Sequence, residues 1–219
     1  MPPSRMTKKR RAMVERQLSA RGIVDRRVLN AMSAVPRETF VPIGLRAFAY
    51  DDSALPIEAG QTISQPYIVA RMMELAEIDA GDTVLEVGAG SGYAAAVLGQ
   101  LADRVVAIER HAELARKARR RIASLHPANV EIIHGDGIRG WPAAAPFDAI
   151  IVSAGAETIP PALKSQLKIG GRLIIPIRHG ADQMLVRIRR TGENAFDEEE
   201  HGLVAFVPLV GSDDPDLAP

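Results

Sequence analysis

The feature that most constrains the fold is the stretch from Val84 to Tyr93, where an apolar run meets three alternating glycines. Its sequence, Val-Leu-Glu-Val-Gly-Ala-Gly-Ser-Gly-Tyr, predicts a buried strand, a sharp turn and then a helix of small residues. Glycine has no Cβ, so this turn lets the backbone approach a ligand closely. The free N–H groups of the following helix then point toward that ligand. The stretch therefore predicts a ligand site.

A second feature is the acid that ends the next apolar run. Glu109 follows Val105–Ile108, roughly 20 residues after Gly88, where nucleotide-binding α/β domains place a ribose-binding carboxylate. The glycine spacing lacks the longer gap of the dinucleotide fingerprint, which favours a nucleoside ligand without a phosphate. An NAD-dependent dehydrogenase remains an alternative, because the strand, glycine loop and terminal acid suit it as well.

The pattern after residue 82 predicts the fold class. Strands are predicted at 83–87, 104–108, 130–134, 147–152 and 171–177, and helices at 91–101, 111–125 and 160–167. This alternation predicts an α/β fold with a doubly wound, mostly parallel, Rossmann-like sheet. Two further β-rich runs, Gln183–Arg189 and Gly202–Leu209, are predicted to pair antiparallel at one edge.

The first 82 residues predict accessory helices and a covering segment. A helix over 6–21 ends at Gly22, and Asp25 is the predicted N-cap of a second helix. The long irregular run Phe40–Gln61 is predicted to cover a site. A third helix is entered at Pro66, for which Ser64 or Gln65 is a candidate N-cap. We expect a single domain, with residues 1–82 as this N-terminal part, 83–211 as the sheet core and 212–219 as an acidic tail.

Composition narrows the classes of function. Lys plus Arg and Asp plus Glu both number 27, so no global field attracts nucleic acid or membrane. The chain has no cysteine, which excludes thiolate chemistry and disulfides, and no His cluster with metal-ligand spacing. No apolar run is long enough to cross a bilayer, and the basic start lacks a secretory signal's apolar segment. We therefore expect a cytoplasmic, monomeric protein without a metal.

Other candidate residues follow the predicted strands, where ligands of such sheets bind. Gly135-Asp136-Gly137 follows the third strand, and Asp136 could accept a hydrogen bond from an exocyclic amine or could simply stabilise a turn. Ser153-Ala154-Gly155 follows the fourth. Glu86 is a carboxylate inside an apolar strand and needs a partner, which a ligand ammonium would supply.

Together these motifs identify a family. From about Met13 to Gly211, the chain resembles the protein-L-isoaspartate O-methyltransferases, within the S-adenosylmethionine-dependent methyltransferases. The resemblance rests on the following motifs: Met13–Leu18 with Arg21-Gly22-Ile23, Val35–Pro42, Gly60–Pro66, Val84–Tyr93, Gly135-Asp136-Gly137 and Phe206–Gly211. The segment Thr-Ile-Ser-Gln-Pro at 62–66 is specific to this family, whereas the glycine loop indicates only a methyltransferase.

The resemblance implies a repair enzyme that methylates the α-carboxyl group of L-isoaspartyl residues in damaged proteins and peptides. It implies S-adenosyl-L-methionine as the cofactor and Ser64 as the catalytic residue beside the reacting carboxylate. The cofactor-binding residues it implies are Thr62, Ile63, Glu86, Gly88, Gly90, Glu109 at the ribose, Asp136 near the adenine, and Gly137. Val207, Pro208 and Leu209 are the implied substrate-binding residues, in an edge run that would offer backbone groups to an extended peptide.

Two departures from the family pattern bear on the substrate. Glu58 stands where members commonly have glycine, and Ala205 stands where bacterial members commonly have arginine. The motifs for the cofactor are unaffected. A third hypothesis is a degenerate methyltransferase fold kept as an interaction module. It is disfavoured by the intact residues Gly88, Gly90, Glu109 and Asp136.

Overall fold

The structure is a computed structural model that describes residues 4–125 and 128–211. Helix α1 spans Arg5–Met13 and continues through a π-helical turn, Val14–Leu18, and a 3₁₀ turn, Ser19–Arg21. Gly22 ends this segment in the left-handed conformation, as predicted, because glycine adopts that conformation without strain. Helix α2 spans Arg26–Ala34, and Asp25 caps it by accepting from the backbone of Arg27 and Val28.

The run Phe40–Gln61, predicted to be irregular, contains some regular structure. It includes a 3₁₀ turn at Ile43–Phe48 and strand β1 at Leu55–Pro56, which pairs antiparallel with β2 at Thr62–Ile63, just after the run. A 3₁₀ turn at Glu58–Gly60 joins the two strands. We call residues 55–63 the hairpin. Helix α3, Pro66–Leu75, follows it directly.

The remaining elements form the sheet and its helices. They are β3 Thr83–Val87, α4 Tyr93–Leu98, β4 Arg104–Glu109, α5 Ala112–Leu125, β5 Val130–His134, β6 Phe147–Val152, α6 Pro161–Ser165, β7 Leu167–His179, β8 Asp182–Arg190 and β9 Phe196–Val204. The strand order is β5-β4-β3-β6-β7-β8-β9. The five strands from β5 to β7 are parallel, and β8 and β9 add antiparallel at the edge. The predicted fold class and antiparallel edge are confirmed.

Apolar side chains cover the sheet on both faces, which explains the nearly unbroken apolar runs of its central strands. Val84 of β3 faces a core shared with helices α1 to α5, whereas Leu85 faces a second core that includes Leu163 of α6. Glu86 lies on the same face as Val84, because alternate strand residues share a face. None of the helices in the described ranges is both long enough and apolar enough to span a membrane.

The predicted last strand, Gly202–Leu209, was wrong in position. Strand β9 is Phe196–Val204, and residues 205–207 are irregular. The run Asp197–Glu200 has the composition of a loop, but β9 is an edge strand with most of its side chains in water. There acidic side chains cost little, and Glu199 pairs with Arg187 of β8 at 2.9 Å.

Two predicted helices are shorter than expected. Helix α4 begins at Tyr93 rather than 91, because Gly92 is left-handed with a φ of 87° and cannot belong to a right-handed helix. Helix α6 ends at Ser165, and Leu167 already starts β7, which reaches His179 rather than 177. Residues 212–219, the predicted acidic tail, lie outside the described residues.

Candidate active site

The glycine loop, Gly88–Gly92, connects β3 to α4. Gly88, Gly90 and Gly92 have φ angles of 85°, 52° and 87°, a region that side chains with a Cβ rarely adopt. The N–H groups of Gly88 and Ala89 both donate to the Ile108 carbonyl at 2.9 Å. The alternating glycines therefore fold the loop tightly against the end of β4.

This arrangement brings Glu109 to the glycine loop. The Glu109 carboxylate is buried and accepts from the Gly90 N–H and from the His111 N–H, each at 2.8 Å. One backbone donor on each oxygen fixes the carboxylate in orientation. Each oxygen keeps a second lone pair, so the group can accept two further hydrogen bonds, the number that a ribose diol donates.

Glu86 is the most unusual group in the site. Its side chain is completely buried, and Ser153 Oγ donates to one carboxylate oxygen over 3.4 Å. The other oxygen has no hydrogen-bond partner within the described residues. Burial raises the pKa of Glu86 to about 8. A cation that donates a hydrogen bond would stabilise this buried oxygen, so the predicted ammonium partner fits the geometry.

Asp136 and Gly137 lie at the end of β5. Asp136 is buried, and its Oδ1 accepts from the Ile138 N–H at 3.0 Å. This hydrogen bond stabilises the turn, as one of the two predictions for Asp136 had it. Its Oδ2 lies 3.8 Å from Arg139 Nε. A Cβ on Gly137 would lie 2.4 Å from Val87 Cγ1, so only glycine lets the turn approach β3 this closely. The structure brings both residues to the same sheet edge as Glu109.

Two adjoining recesses follow this edge. The inner recess is lined by these residues: Thr62, Ile63, Ser64, Val69, Met72, Met73, Glu86, Gly88, Ala89, Gly90, Ser91, Tyr93, Ala94, Ile151 and Ser153. The outer recess is lined by Gln61, Thr62, Val87, Gly88, Gly90, Ile108, Glu109, Arg110, His111, Gly137, Ser153, Ala154 and Val207–Val210. They meet at Thr62, Gly88, Gly90 and Ser153. An elongated ligand can therefore pass over Gly88 from one recess to the other.

The hairpin is the roof of this site. Thr62 lines both recesses, and Ile63 lines the inner one. Ile57 follows β1, and its Cδ1 would lie 3.7 Å from a Cβ placed on Gly90. Of the run Phe40–Gln61 that was predicted to cover a site, residues 57–61 are therefore the part that lies over these recesses.

Ser64 lies where the inner recess meets an open surface groove. The groove is lined by Asp52, Ser53, Ala54, Thr62, Ser64, Gln65, Ile68 and residues 203–206. The N-cap of α3 is Gln65, and its side chain makes no capping hydrogen bond. Among the described residues, no hydrogen bond joins the Ser64 hydroxyl to the first turn of α3 either. The geometry thus favours a ligand role for Ser64 over the capping role.

The closing segment, Ala205–Leu209, divides between the groove and the outer recess. Ala205 and Phe206 line the groove, whereas Val207, Pro208 and Leu209 line the outer recess beside Glu109. Val207 and Leu209 exchange backbone hydrogen bonds with Gly155, at 2.8 and 2.7 Å. Those two backbone groups are therefore already engaged, and the substrate-binding role of Val207–Leu209 stays a prediction.

Gln183, which the sequence pattern did not single out, holds the closing segment. Its Oε1 accepts from the Phe206 N–H at 2.7 Å, and its Nε2 donates to the Phe206 carbonyl at 3.1 Å. A Cβ on Gly155 would lie 2.2 Å from the Gln183 Nε2, so glycine makes room for this amide. The pairing joins residues far apart in sequence, and no local signal reveals it.

Tyr93 connects the N-terminal layer to the glycine loop. Its buried ring packs edge-on against Phe40, with centroids 5.6 Å apart, and lies 4.9 Å from the Arg37 guanidinium. Arg37 is fully buried, donates to the Ala49 carbonyl at 2.8 Å, and has its pKa lowered to about 10 by burial. The residues just after α2 therefore pack against Tyr93, which lines the inner recess.

Comparison with known proteins gives a consistent result. A family model described as protein-L-isoaspartate(D-aspartate) O-methyltransferase matches residues 8–214. A protein-L-isoaspartate O-methyltransferase from Rhodopseudomonas palustris is 55% identical over 204 residues, covering 92% of this chain and 93% of the relative. One from Methylorubrum extorquens is 57% identical over 209 residues, covering 94% and 91%.

Solved structures match over the same range. A protein-L-isoaspartate O-methyltransferase is 30% identical with a TM-score of 0.83, covering 92% of this chain and 66% of that one. A Plasmodium falciparum structure described as the same kind of enzyme, in complex with S-adenosyl-L-homocysteine, is 27% identical with a TM-score of 0.81. It is matched over 98% of its length and 92% of this chain. None of these similarities supports a dehydrogenase or a non-catalytic module.

Proposed function

Because the chain belongs to the protein-L-isoaspartate(D-aspartate) O-methyltransferase family, we propose how its recesses and surface groove carry out that reaction. The protein transfers a methyl group from S-adenosyl-L-methionine to the α-carboxyl group of L-isoaspartyl residues in damaged proteins and peptides. The observation that carries our assignment is the position of Ser64, which lines both the inner recess and the surface groove. A residue at that junction can contact a peptide in the groove and a reactive group in the recess.

The residues of the two recesses fit S-adenosylmethionine. The unpaired buried oxygen of Glu86 would accept from the ammonium of its methionine part, and Glu109 would accept from the ribose hydroxyls. Gly137, which lines the outer recess, and its buried neighbour Asp136 would border the adenine. Thr62 and Ile63 would cover the cofactor from the hairpin. When bound, S-adenosylmethionine supplies a methyl group on a positively charged sulfur.

The reaction requires the protein mainly to align the carboxylate oxygen, the methyl group and the sulfur. The substrate carboxylate has an unperturbed pKa of ~4 and is ionised at neutral pH, so no general base is needed. Ser64 would donate a hydrogen bond to one carboxylate oxygen and leave the other free to take the methyl group. Holding the reacting atoms in line can supply as much as ~7–11 kcal/mol of the barrier reduction.

We further propose that the isoaspartyl peptide lies in the surface groove. Residues 203–206 form one wall of this groove, and residues 52–54 also line it. Val207, Pro208 and Leu209 would border both ligands, since they continue that wall into the outer recess. A cytoplasmic location, a monomeric state and the absence of a nucleic-acid partner remain predictions from the sequence.

The experiment that tests this function uses methyl-labelled S-adenosylmethionine and two peptides that differ only in an isoaspartyl or a normal aspartyl linkage. The methyl ester is hydrolysed with base, and the volatile labelled methanol is counted. We expect label from the isoaspartyl peptide and none above background from the aspartyl peptide. Equal label from both peptides, or none from either, would contradict the proposal.

A further inference from the structure

The hairpin that covers the cofactor site is held at its turn by one charged side chain. Glu58 begins the turn, and its Oε1 accepts from Lys117 Nζ at 2.8 Å, with Arg121 Nη2 3.8 Å away. Both cations lie on α5. The other turn residues are Ala59, whose side chain is a methyl group, and Gly60, which has no side chain. Within residues 58–60, Glu58 is therefore the side chain able to anchor the turn electrostatically.

The turn needs an external anchor because its own backbone is unfavourable. Ala59 has a φ of 56° and Gly60 a φ of 67°, and a left-handed alanine is disfavoured by its Cβ. The hairpin strands are only two residues each, so their ladder is too short for independent stability. Contacts with other elements must therefore hold the hairpin closed.

The same α5 residues also reach the glycine loop. Arg121 Nη1 donates to the Ser91 carbonyl at 3.2 Å, while Glu58 lies near Arg121 Nη2. Ile57, next to Glu58, covers Gly90. Glu58 thus connects the roof of the site, through α5, to the loop that forms its floor.

The details of the ion pair indicate positioning rather than stability alone. The second oxygen of Glu58 is buried and has no hydrogen-bond partner within the described residues. An unsatisfied buried oxygen lowers the net stability that such a carboxylate contributes. Its geometric effect is nonetheless direct, because Thr62, Ile63 and Ser64 follow the anchored turn within a few residues.

We infer that Glu58 is a positioning residue that latches the hairpin over the bound cofactor, and that its pair with Lys117 sets how fast the demethylated product, S-adenosylhomocysteine, leaves. The inference rests on the proposed function, since it assigns the recesses under the hairpin to the cofactor. Thr62 borders both recesses, so on this inference a ligand beneath it exchanges when the hairpin lifts, and lifting the hairpin breaks the Glu58–Lys117 contact. Such lid movements often determine product release.

The test measures the dissociation rate of S-adenosylhomocysteine from the full-length chain by stopped-flow displacement. We expect Glu58→Gln to raise this rate roughly two- to fivefold, the range for a partly exposed ion pair, with little change in melting temperature. The Michaelis constant for S-adenosylmethionine should rise, while the single-turnover rate at saturation changes less. Added salt should speed dissociation from the wild type and have less effect on Glu58→Gln.

Glu113→Gln is the matched control. Glu113 also pairs with Lys117, at 2.7 Å, but it lies on α5, and within the described residues no hydrogen bond or ion pair joins it to the hairpin. Its loss should leave the dissociation rate unchanged, and Glu58→Gln/Lys117→Gln should be no faster than Glu58→Gln alone. An unchanged rate in Glu58→Gln, or an equal increase in Glu113→Gln, would overturn the inference. A wild type that does not bind S-adenosylhomocysteine would instead contradict the proposed function.

Discussion

The floor of the cofactor site is fixed mainly by backbone hydrogen bonds between neighbouring strands, whereas its roof is held by single side chains from distant elements. In the floor, Gly88 and Ala89 donate to the Ile108 carbonyl, and Gly90 donates to Glu109. In the roof, which here comprises the hairpin and the closing segment, Glu58 reaches α5 and Gln183 reaches Phe206. The two regions therefore border the same recesses but depend on different kinds of contact.

This difference has a functional logic. The floor must present fixed hydrogen-bonding groups to the cofactor, and parallel strands whose ends meet at one edge supply them without further adjustment. The roof must close over the cofactor and also release it, which a few partly exposed side-chain contacts permit. Changes to the floor should therefore affect the affinity for the cofactor, and changes to the roof should mainly affect exchange and the use of the peptide.

The largest expected change in cofactor affinity comes from a substitution of Glu86 in the floor. Glu86→Gln keeps the shape of the side chain but removes the charge that would pair with the cofactor ammonium. Breaking a buried pair by removing one partner costs ~3–5 kcal/mol, so the dissociation constant for S-adenosylmethionine should rise roughly a hundredfold or more. Isothermal titration would measure this constant. Glu131→Gln, which changes an exposed carboxylate on β5, is the control. An unchanged constant would remove Glu86 from the site.

The pH dependence of stability sharpens the same point. Without a ligand, burial raises the pKa of Glu86 to about 8, above the ordinary value of 4.5. The folded state therefore keeps this proton to a higher pH than the unfolded state, and stability from the protonated group is lost as pH rises through this interval. Between pH 5 and 8, the melting temperature of the ligand-free wild type should fall more than that of Glu86→Gln. Parallel curves would mean that Glu86 is ionised in the ligand-free protein.

The next effect concerns Glu109, also in the floor. Glu109→Ala should weaken S-adenosylmethionine binding by ~1.5–3 kcal/mol, because a carboxylate that accepts from ribose hydroxyls makes charge-assisted hydrogen bonds. It also frees the Gly90 and His111 N–H groups, so Glu109→Gln separates loss of charge from loss of loop support. We expect the glutamine variant to bind better than the alanine variant. If both variants bind as well as the wild type in titration, the ribose contact is absent.

The smallest of these three effects concerns Gln183 in the roof. Gln183→Ala removes two neutral hydrogen bonds to Phe206, worth about 0.5–1.5 kcal/mol each. The closing segment should then be less ordered, and the Michaelis constant for the peptide should rise by more than the dissociation constant for S-adenosylmethionine. Gln183→Glu, which cannot donate to the Phe206 carbonyl when ionised, should behave similarly. A defect confined to cofactor binding would show that the closing segment belongs to the floor.

The sequence predicted the floor well, because its determinants are local or periodic. The apolar runs, the three alternating glycines and the terminal Glu109 specify strands, turns and their common edge without reference to distant residues. The start of β9 was misplaced because an exposed edge strand can carry the acidic run Asp197–Glu200 that elsewhere indicates a loop.

In the roof, the sequence predicted site residues only through the family motif at 62–66. Gln183 pairs with Phe206 and Glu58 with Lys117 across long stretches of chain, and neither pairing leaves a spacing or composition signal in a single sequence. The position of Val207–Leu209 beside Glu109 likewise depends on the bridge to Gly155, which is a tertiary contact. Contacts of this kind become visible only when the chain is folded.

The most direct test of the central claim, that Ser64 orients the substrate carboxylate at the junction of recess and groove, is the single-turnover rate of Ser64→Ala with isoaspartyl peptide. We predict a fall of ~1.5–3 kcal/mol in transition-state stabilisation, or roughly 10- to 150-fold, because the orienting hydrogen bond to the carboxylate is lost. The affinity for S-adenosylmethionine should stay within a few fold, and the melting temperature should hardly change. A normal rate together with a much lower melting temperature would contradict the account. Ser64 would then be a residue that stabilises the start of α3.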